Sequence, residues 1–398
     1  MHCFLGLLIF WHLSLLSHAS SETDAAWEHW KNSYNKVYNS PSEEAHRRAI
    51  WEAKVKSNHE HNLKYDLGLV TYLKGLNQFS DITSDEFVHT YSSIAKKPRR
   101  KNVIEYTHKA KRDIPERIDW REKGVVTSVK NEGPCGAHWA FATTAALESQ
   151  YAMHFNESIS LSDQQLLDCS EYYGTLGCFG GSPLNAYEYV LEYGLQTDEM
   201  YPYEEKKGHC RYNESASIIR VKAYYIVADD NETALQSLVA SFGPTIVKVD
   251  GEYGFRDYTC VLNLENDETL SIYLTYFSFH AIFEMFIVLT GREHEKDAPA
   301  NSEEGCDVFR GAGVTGGIYK SDNCSTFAVT NDLLLVGYGR ENNTDYWILK
   351  NSWGTAWGES GYMRMARTGK NMCGIATEAS VPRIEQYDPP EQETNENN

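Results

Sequence analysis

The reading of this chain turns on one stretch, Asn131-Glu132-Gly133-Pro134-Cys135-Gly136-Ala137-His138-Trp139-Ala140-Phe141. From Ala137 to Phe155 the residues are rich in apolar types and suit a helix. Ser160-Leu161-Ser162-Asp163-Gln164-Gln165 is a capping-type start to another, with Ser162 and Gln165 at the right offset. Gly177, Gly180 and Gly181 mark loops. From Ile218 onward, β-branched and aromatic runs punctuated by Gly and Pro read as strands. Helices early and strands late make an α+β pattern.

Upstream of this stretch the chain reads as helix again. Trp27, Trp30, Tyr34 and Val37 recur at three- and four-residue spacing, and a second periodic run spans Glu43 to Leu63. Pro41-Ser42 between them suits a helix start. A short helical stretch is expected near Asp85 to Tyr91. Lys96, Lys97, Arg99, Arg100, Lys101, Lys109, Lys111 and Arg112 then form a basic stretch that reads as a protease-cut linker. Phe4 to Leu16 is almost wholly apolar and is followed by Ser17-His18-Ala19-Ser20, the pattern of a signal peptide cleaved after Ala19. A buried N-terminal helix is the alternative.

The chain has 398 residues, enough for two or three domains at roughly 100–200 residues each. Hydrophobic residues make up 41% and charged residues 23%, which excludes wholesale disorder, a collagen-like repeat and a polytopic membrane protein. With 37 Lys and Arg against 56 Asp and Glu the formal charge is −19, which argues against nucleic acid and anionic membrane as partners. Removing a signal peptide takes Cys3 from the nine cysteines and leaves an even number for an oxidising compartment.

The stretch at 131–141 resembles the active-site region of the papain/cathepsin cysteine proteases, whose signature is C-G-[SA]-C-[WY]. Tyr346-Trp347-Ile348-Leu349-Lys350-Asn351-Ser352-Trp353-Gly354, preceded by Val336-Gly337-Tyr338-Gly339, matches the family downstream. Asp119-Trp120-Arg121, Leu166-Leu167-Asp168-Cys169-Ser170, Gly177-Cys178-Phe179-Gly180-Gly181 and Tyr201-Pro202-Tyr203 match between them. Gly75, Asn77, Phe79 and Asp81 fit a motif of the family's inhibitory propeptide. Glu43, Arg47, Trp51 and Asn62 fit its long-helix motif, where Lys54 and Asn58 replace the family's Asn and Ile. The similarity is to cathepsins L and F. It implies a papain-like two-lobed α+β fold, with a helical lobe, a β-barrel-like lobe and a cleft between, behind a helical propeptide that lies along the cleft. The implied organisation is a signal peptide over 1–19, propeptide over 20–112, peptidase domain over 113–382 and disordered tail over 383–398, with a mature N-terminus near Asp113 or Ile114.

The family's chemistry is attack by a Cys thiolate, activated by a His that an Asn orients, with a Gln completing the oxyanion hole. The resemblance puts His138 at the nucleophile position, Asn331 at the base position and Glu132 at the oxyanion position; Asn351 and Trp353 are retained. The last histidines are His280 and His294, so no shift of register supplies a base. An ionised carboxylate at 132 would accept hydrogen bonds where Gln donates. The expected function is therefore a pseudoprotease that is secreted or lysosomal. Its cleft, with Gly180, Gly181, Lys248 and Trp353, would hold peptide or protein ligands, protease inhibitors or its own propeptide. Two alternatives are an active cathepsin L-like endopeptidase, if the encoded residues at 138 and 331 differ, and a nonenzymatic interaction protein. No cofactor is implied. His138 lacks the H-x-x-x-H or C-x-x-C company of a metal ligand. A monomer is expected.

The family's disulfides imply Cys135 with Cys178, Cys169 with Cys210, and Cys324 with Cys373. Cys260 and Cys306 remain near the ends of an insert over 260–315 and are expected to pair. The distance from His138 to Asn331 exceeds the family's Cys–His spacing by roughly 50 residues, which measures the insert. Ile272 to Leu289 within it is apolar, but His280 and Glu284 sit mid-segment, so a surface flap or translated intron is expected rather than a span. Asn156, Asn213, Asn231, Asn323 and Asn342 head N-x-[ST] sequons.

Overall fold

The computed structural model describes residues 23–91, 102–107, 114–227, 230–251, 254–260 and 316–386. The expected signal peptide, the basic residues from Lys96 to Lys101 and from Lys109 to Arg112, Asp113, the insert from 261 to 315 with Cys306, and residues 387–398 lie outside the described residues.

The N-terminal segment is helical. Helix α1 covers 23–33 and α2 covers Pro41–Asp66, divided where Pro41 was expected to start a helix. Ser40 caps α2 by accepting from the Glu43 N–H, and Pro41 takes the first turn, where its missing donor costs nothing. Trp27, Trp30 and Trp51 bury themselves together as a small core of their own. Strand β1 (Leu73–Lys74) and helix α3 (Ser84–Tyr91) follow, then β2 (Val103–Tyr106) and β3 (Ile118–Asp119).

Helix α4 (His138–Phe155) is buried on nearly every face, as its Ala-rich composition allows. Helix α5 (Asp163–Cys169) is capped by Ser162, which accepts from the Gln165 N–H, the offset read from the sequence. Helix α6 (Pro183–Tyr193) is capped by Ser182. The remaining elements are β4 (Ile219–Val227), α7 (Glu232–Phe242), β5 (Thr245–Val249), β6 (Tyr258–Thr259), β7 (Asn331–Glu341), β8 (Thr344–Lys350), β9 (Tyr362–Ala366) and β10 (Ser380–Gln386). Two sequence expectations are corrected here. The region after Ile218 is not all strand, because Asn231 caps a helix that carries Leu235, Leu238 and Val239 inward. The tail does not begin at Arg383, because β10 stays paired with β4 as far as Gln386↔Ile219.

Among the described residues the main sheet runs β2-β4-β10-β5-β7-β8-β9, with β3 on β7. Strand β7 is buried on both faces. Leu334 and Val336 join the core built on α4, α5 and α6, whereas Leu333 and Leu335 join the core that holds α7. This two-residue alternation decides which side chain at the start of β7 faces α4.

The N-terminal segment docks on the second core. Leu73 pairs with Thr259 and Lys74 with Tyr258. Phe79 and Phe87 enter that core beside Trp353. The two departures in the long-helix motif have partners. Lys54 Nζ meets Asp257 Oδ2 at 2.9 Å, and Asn58 Nδ2 donates to Gly75 O at 2.9 Å. Three disulfides pair as the resemblance implied: Cys135–Cys178, Cys169–Cys210 and Cys324–Cys373. Cys260 is disulfide-bonded too, and Cys306, its expected partner, lies outside the described residues. The insert leaves and returns at one place. A Cβ on Gly316 would lie 2.2 Å from Thr259 O. All five sequon asparagines are exposed.

Candidate active site

Helix α4 begins at His138, with Ala137 before it supplying no side-chain cap. The imidazole is fully buried and faces the start of β7. There it meets Asp332, not Asn331. Asp332 shares the α4-facing side of β7 with Leu334, and the alternation turns Asn331 the other way, against Gly251. His138 Nδ1 lies 3.1 Å from Asp332 Oδ2 and 3.1 Å from the Asp332 backbone N. One ring nitrogen cannot serve both: unprotonated it accepts from the N–H, and protonated it donates to the carboxylate. Either way the ring ties α4 to β7. Lys248, opposite Asp332 in the β5–β7 ladder, places Nζ 3.8 Å from the same Oδ2. Asp332 went unread in the sequence, although a carboxylate heading a Leu-Leu-Leu-Val run was a visible signal.

The amides that the sequence singled out are buried and underused. Neither Asn331 Oδ1 nor Asn331 Nδ2 has a hydrogen-bond partner, nor does Asn351 Nδ2. Asn351 Oδ1 accepts from the Ser352 N–H at 2.8 Å. Glu132 is fully buried. Its Oε1 accepts from Trp353 Nε1 at 2.7 Å, and its Oε2 has no partner. Burial pushes the Glu132 carboxyl up to about 7, against the pull of His138, of the Trp353 indole and of the Ala137 and His138 N–H groups.

Gly181 belongs to the site's wall, where a Cβ would lie 2.4 Å from the Trp139 ring; Gly180, with φ +117°, turns the chain beside it. The N-terminal segment passes over this wall. A Cβ on Gly136 would lie 2.4 Å from Thr90 O, and Tyr91 Oη donates to Gly133 O. Behind the site lies a recess of about 20 Å³ lined by Asp332 and Asn351 and by the buried charges of Lys130, Glu148 and Lys350. Among the described residues no group of His, Cys, Asp and Glu is placed to hold a metal ion. No described helix is long and apolar enough to cross a membrane.

Two family models match the chain. The papain family cysteine protease model covers 114–271 and 311–383, and the cathepsin propeptide inhibitor domain model covers 27–87. This chain belongs to the papain family of cysteine proteases. Relatives of this papain-family chain include a cathepsin L-like proteinase of Fasciola hepatica, 41% identical over 92% of this chain and 94% of that one. Cathepsin S of Mus musculus is 33% identical over 91% of each. Among solved structures, digestive procathepsin L2 proteinase from Tenebrio molitor larval midgut matches with a TM-score of 0.73 and 33% identity, over 90% of this chain and 99% of that one. The fold is thus the papain-like procathepsin fold with its helical propeptide in place.

Proposed function

We propose that this papain-family protein is a pseudoprotease, secreted or lysosomal, whose cleft holds extended peptides, including its own propeptide, without cleaving them. One observation carries this reading: the side chain that starts α4 is an imidazole engaged by Asp332. Neither a thiolate nor a free general base stands there, and Asn331 contributes only a neutral amide. Thiol-protease chemistry needs a nucleophile and a base within reach of each other. What the family keeps for binding is kept here, namely the Trp353 wall, Gly180 and Gly181, and the disulfide frame. Cys260 and Gly316, which bracket the insert, lie against each other beside the propeptide strand.

The test uses the full chain, cut between residues 91 and 114 by an added protease, with all pieces kept in solution. Dye-labelled hexapeptide amides are expected to bind saturably by fluorescence anisotropy and to be recovered intact by mass spectrometry. Peptides cleaved in a reaction that a thiol-protease inhibitor blocks would contradict the reading, as would the absence of binding.

A further inference from the structure

Glu132 is held from several sides. Its N–H donates to Ser352 O at 2.9 Å, and its own carbonyl accepts from Tyr203 Oη at 2.7 Å. Trp353 Nε1 fixes Oε1 at 2.7 Å, with Ser352 Oγ at 3.5 Å from the same oxygen. Oε2 is left buried and without a partner, close to the start of α4. A carboxyl group so placed has one oxygen committed as acceptor and the other available to carry a proton.

We infer that Glu132, with Oε1 fixed by the Trp353 indole and Oε2 buried without a partner, serves this cleft as a neutral carboxylic acid whose Oε2–H donates to a backbone carbonyl of a bound extended peptide. The inference rests on the peptide-binding reading. An ionised carboxylate can only accept, whereas the protonated acid has one O–H donor on nearly the frame of a Gln side chain. A carboxylic acid kept neutral by its surroundings is a known way to supply such a donor. The groups that face Glu132 are His138 and the Ala137 N–H from α4, Ser352 and Trp353 after β8, Tyr91 from α3 and Tyr203. No Lys or Arg is among them. Burial outweighs their pull and keeps the proton on up to about 7. Once ionised the group only accepts hydrogen bonds and repels a carbonyl oxygen.

The linkage has a definite sign. The folded chain keeps a proton on Glu132 that the unfolded chain releases above about 4.5. Stability relative to Glu132→Gln is therefore full below about 4.5, falls as pH rises toward 7 and levels off above it. The folding equilibrium constant of the wild type should drop against that of Glu132→Gln by on the order of 100-fold across the window.

The test begins with the full chain labelled with ¹⁵N-tryptophan. The Trp353 indole signal, assigned with Trp353→Phe, should titrate with a midpoint near 7 and stay flat in Glu132→Gln. In the protease-cut chain, hexapeptide amides should bind wild type and Glu132→Gln about equally at pH 5. At pH 8 the wild type should bind about tenfold more weakly, since roughly one carboxyl in ten keeps its proton one pH unit above its pKa. An indole that titrates near 4.5 or not at all, or an affinity ratio that is the same at both pH values, would overturn the inference while leaving the peptide-binding reading in place. No binding by either protein at either pH would sink that reading and this inference with it.

Discussion

Replacing His138 with Cys and Asn331 with His is expected to give only faint peptide hydrolysis until Asp332 is also replaced by Ala. A thiol at position 138 would stand where the imidazole now meets the Asp332 carboxylate. That negative charge raises the thiol's pKa above its usual value of about 8.5 and removes the thiolate. His138→Cys alone should be silent in a fluorogenic peptide assay. With Asp332→Ala added to the pair, Lys248 loses its carboxylate and stands as a cation near the thiolate, which favours it. Residue 331 faces away from α4, so the imidazole of Asn331→His reaches the thiolate only when the start of β7 turns it inward, a movement that loss of the Asp332–His138 tie in this variant allows, with Asn351 available to orient it. Hydrolysis should rise by roughly 10²–10⁴ over the double variant, the range of a positioned acid–base group. Adding Glu132→Gln should raise it about tenfold more at pH 8 and by less than about threefold at pH 5, where the neutral acid already donates. A double variant as active as the triple would show that Asp332 does not suppress the thiolate.

Lys130→Met is expected to cost about 3–5 kcal/mol of stability, measured by denaturant unfolding at pH 7. Lys130 Nζ reaches Glu148 Oε1 at 2.9 Å, Asp163 Oδ2 at 2.9 Å and Leu161 O at 3.0 Å. Both carboxylates are fully buried, and their pull holds the ammonium well above its ordinary range despite its own burial. Lys350 is the other cation of the cluster; burial pushes it down to about 8, and it spends its visible hydrogen bonds on Thr127. Without Lys130 two buried carboxylates share that weaker counter-charge. Their pKa values rise in the folded state, so the variant's deficit is largest near neutrality and shrinks as pH falls and the acids take up protons. Lys222→Met, which breaks an exposed pair with Glu385, should change stability by less than about 0.5 kcal/mol. Equal effects from the two variants would contradict the buried-network account.

How far the sequence led differs from element to element. The helix starts at Pro41 and Ser162 were readable because a cap is a local device of three or four residues. The pairing of Cys135 with Cys178, and the docking of the Phe79 motif on Trp353, came through resemblance to a family and not through any local pattern. Helix α7 was missed because Ala234 to Phe242 is a short, largely apolar run set between segments that read as strand, although only Val239 in it is β-branched. The end of β10 was missed because Arg383, Glu385 and Gln386 surround the single apolar Ile384 with polar residues, and the register on β4 reveals the strand. At the site, the substitutions at 132, 138 and 331 were plain, but the partner of His138 was not. That partner depends on which way Asp332 points, and a side-chain period of two settles this only once the strand's start is known. The neutral state of Glu132 was likewise out of reach, because it follows from complete burial beside Trp353, a residue 221 positions away in sequence.

The central claim is that this papain-family chain carries no working thiol dyad. It is tested most directly by intact-mass analysis of the purified, unmodified protein, cut between residues 91 and 114 by an added protease and then incubated with an epoxide thiol probe. The account predicts no mass increase on the domain that contains His138 and no probe-sensitive hydrolysis of a fluorogenic peptide. Stoichiometric labelling of that domain, together with hydrolysis that the probe abolishes, would contradict it.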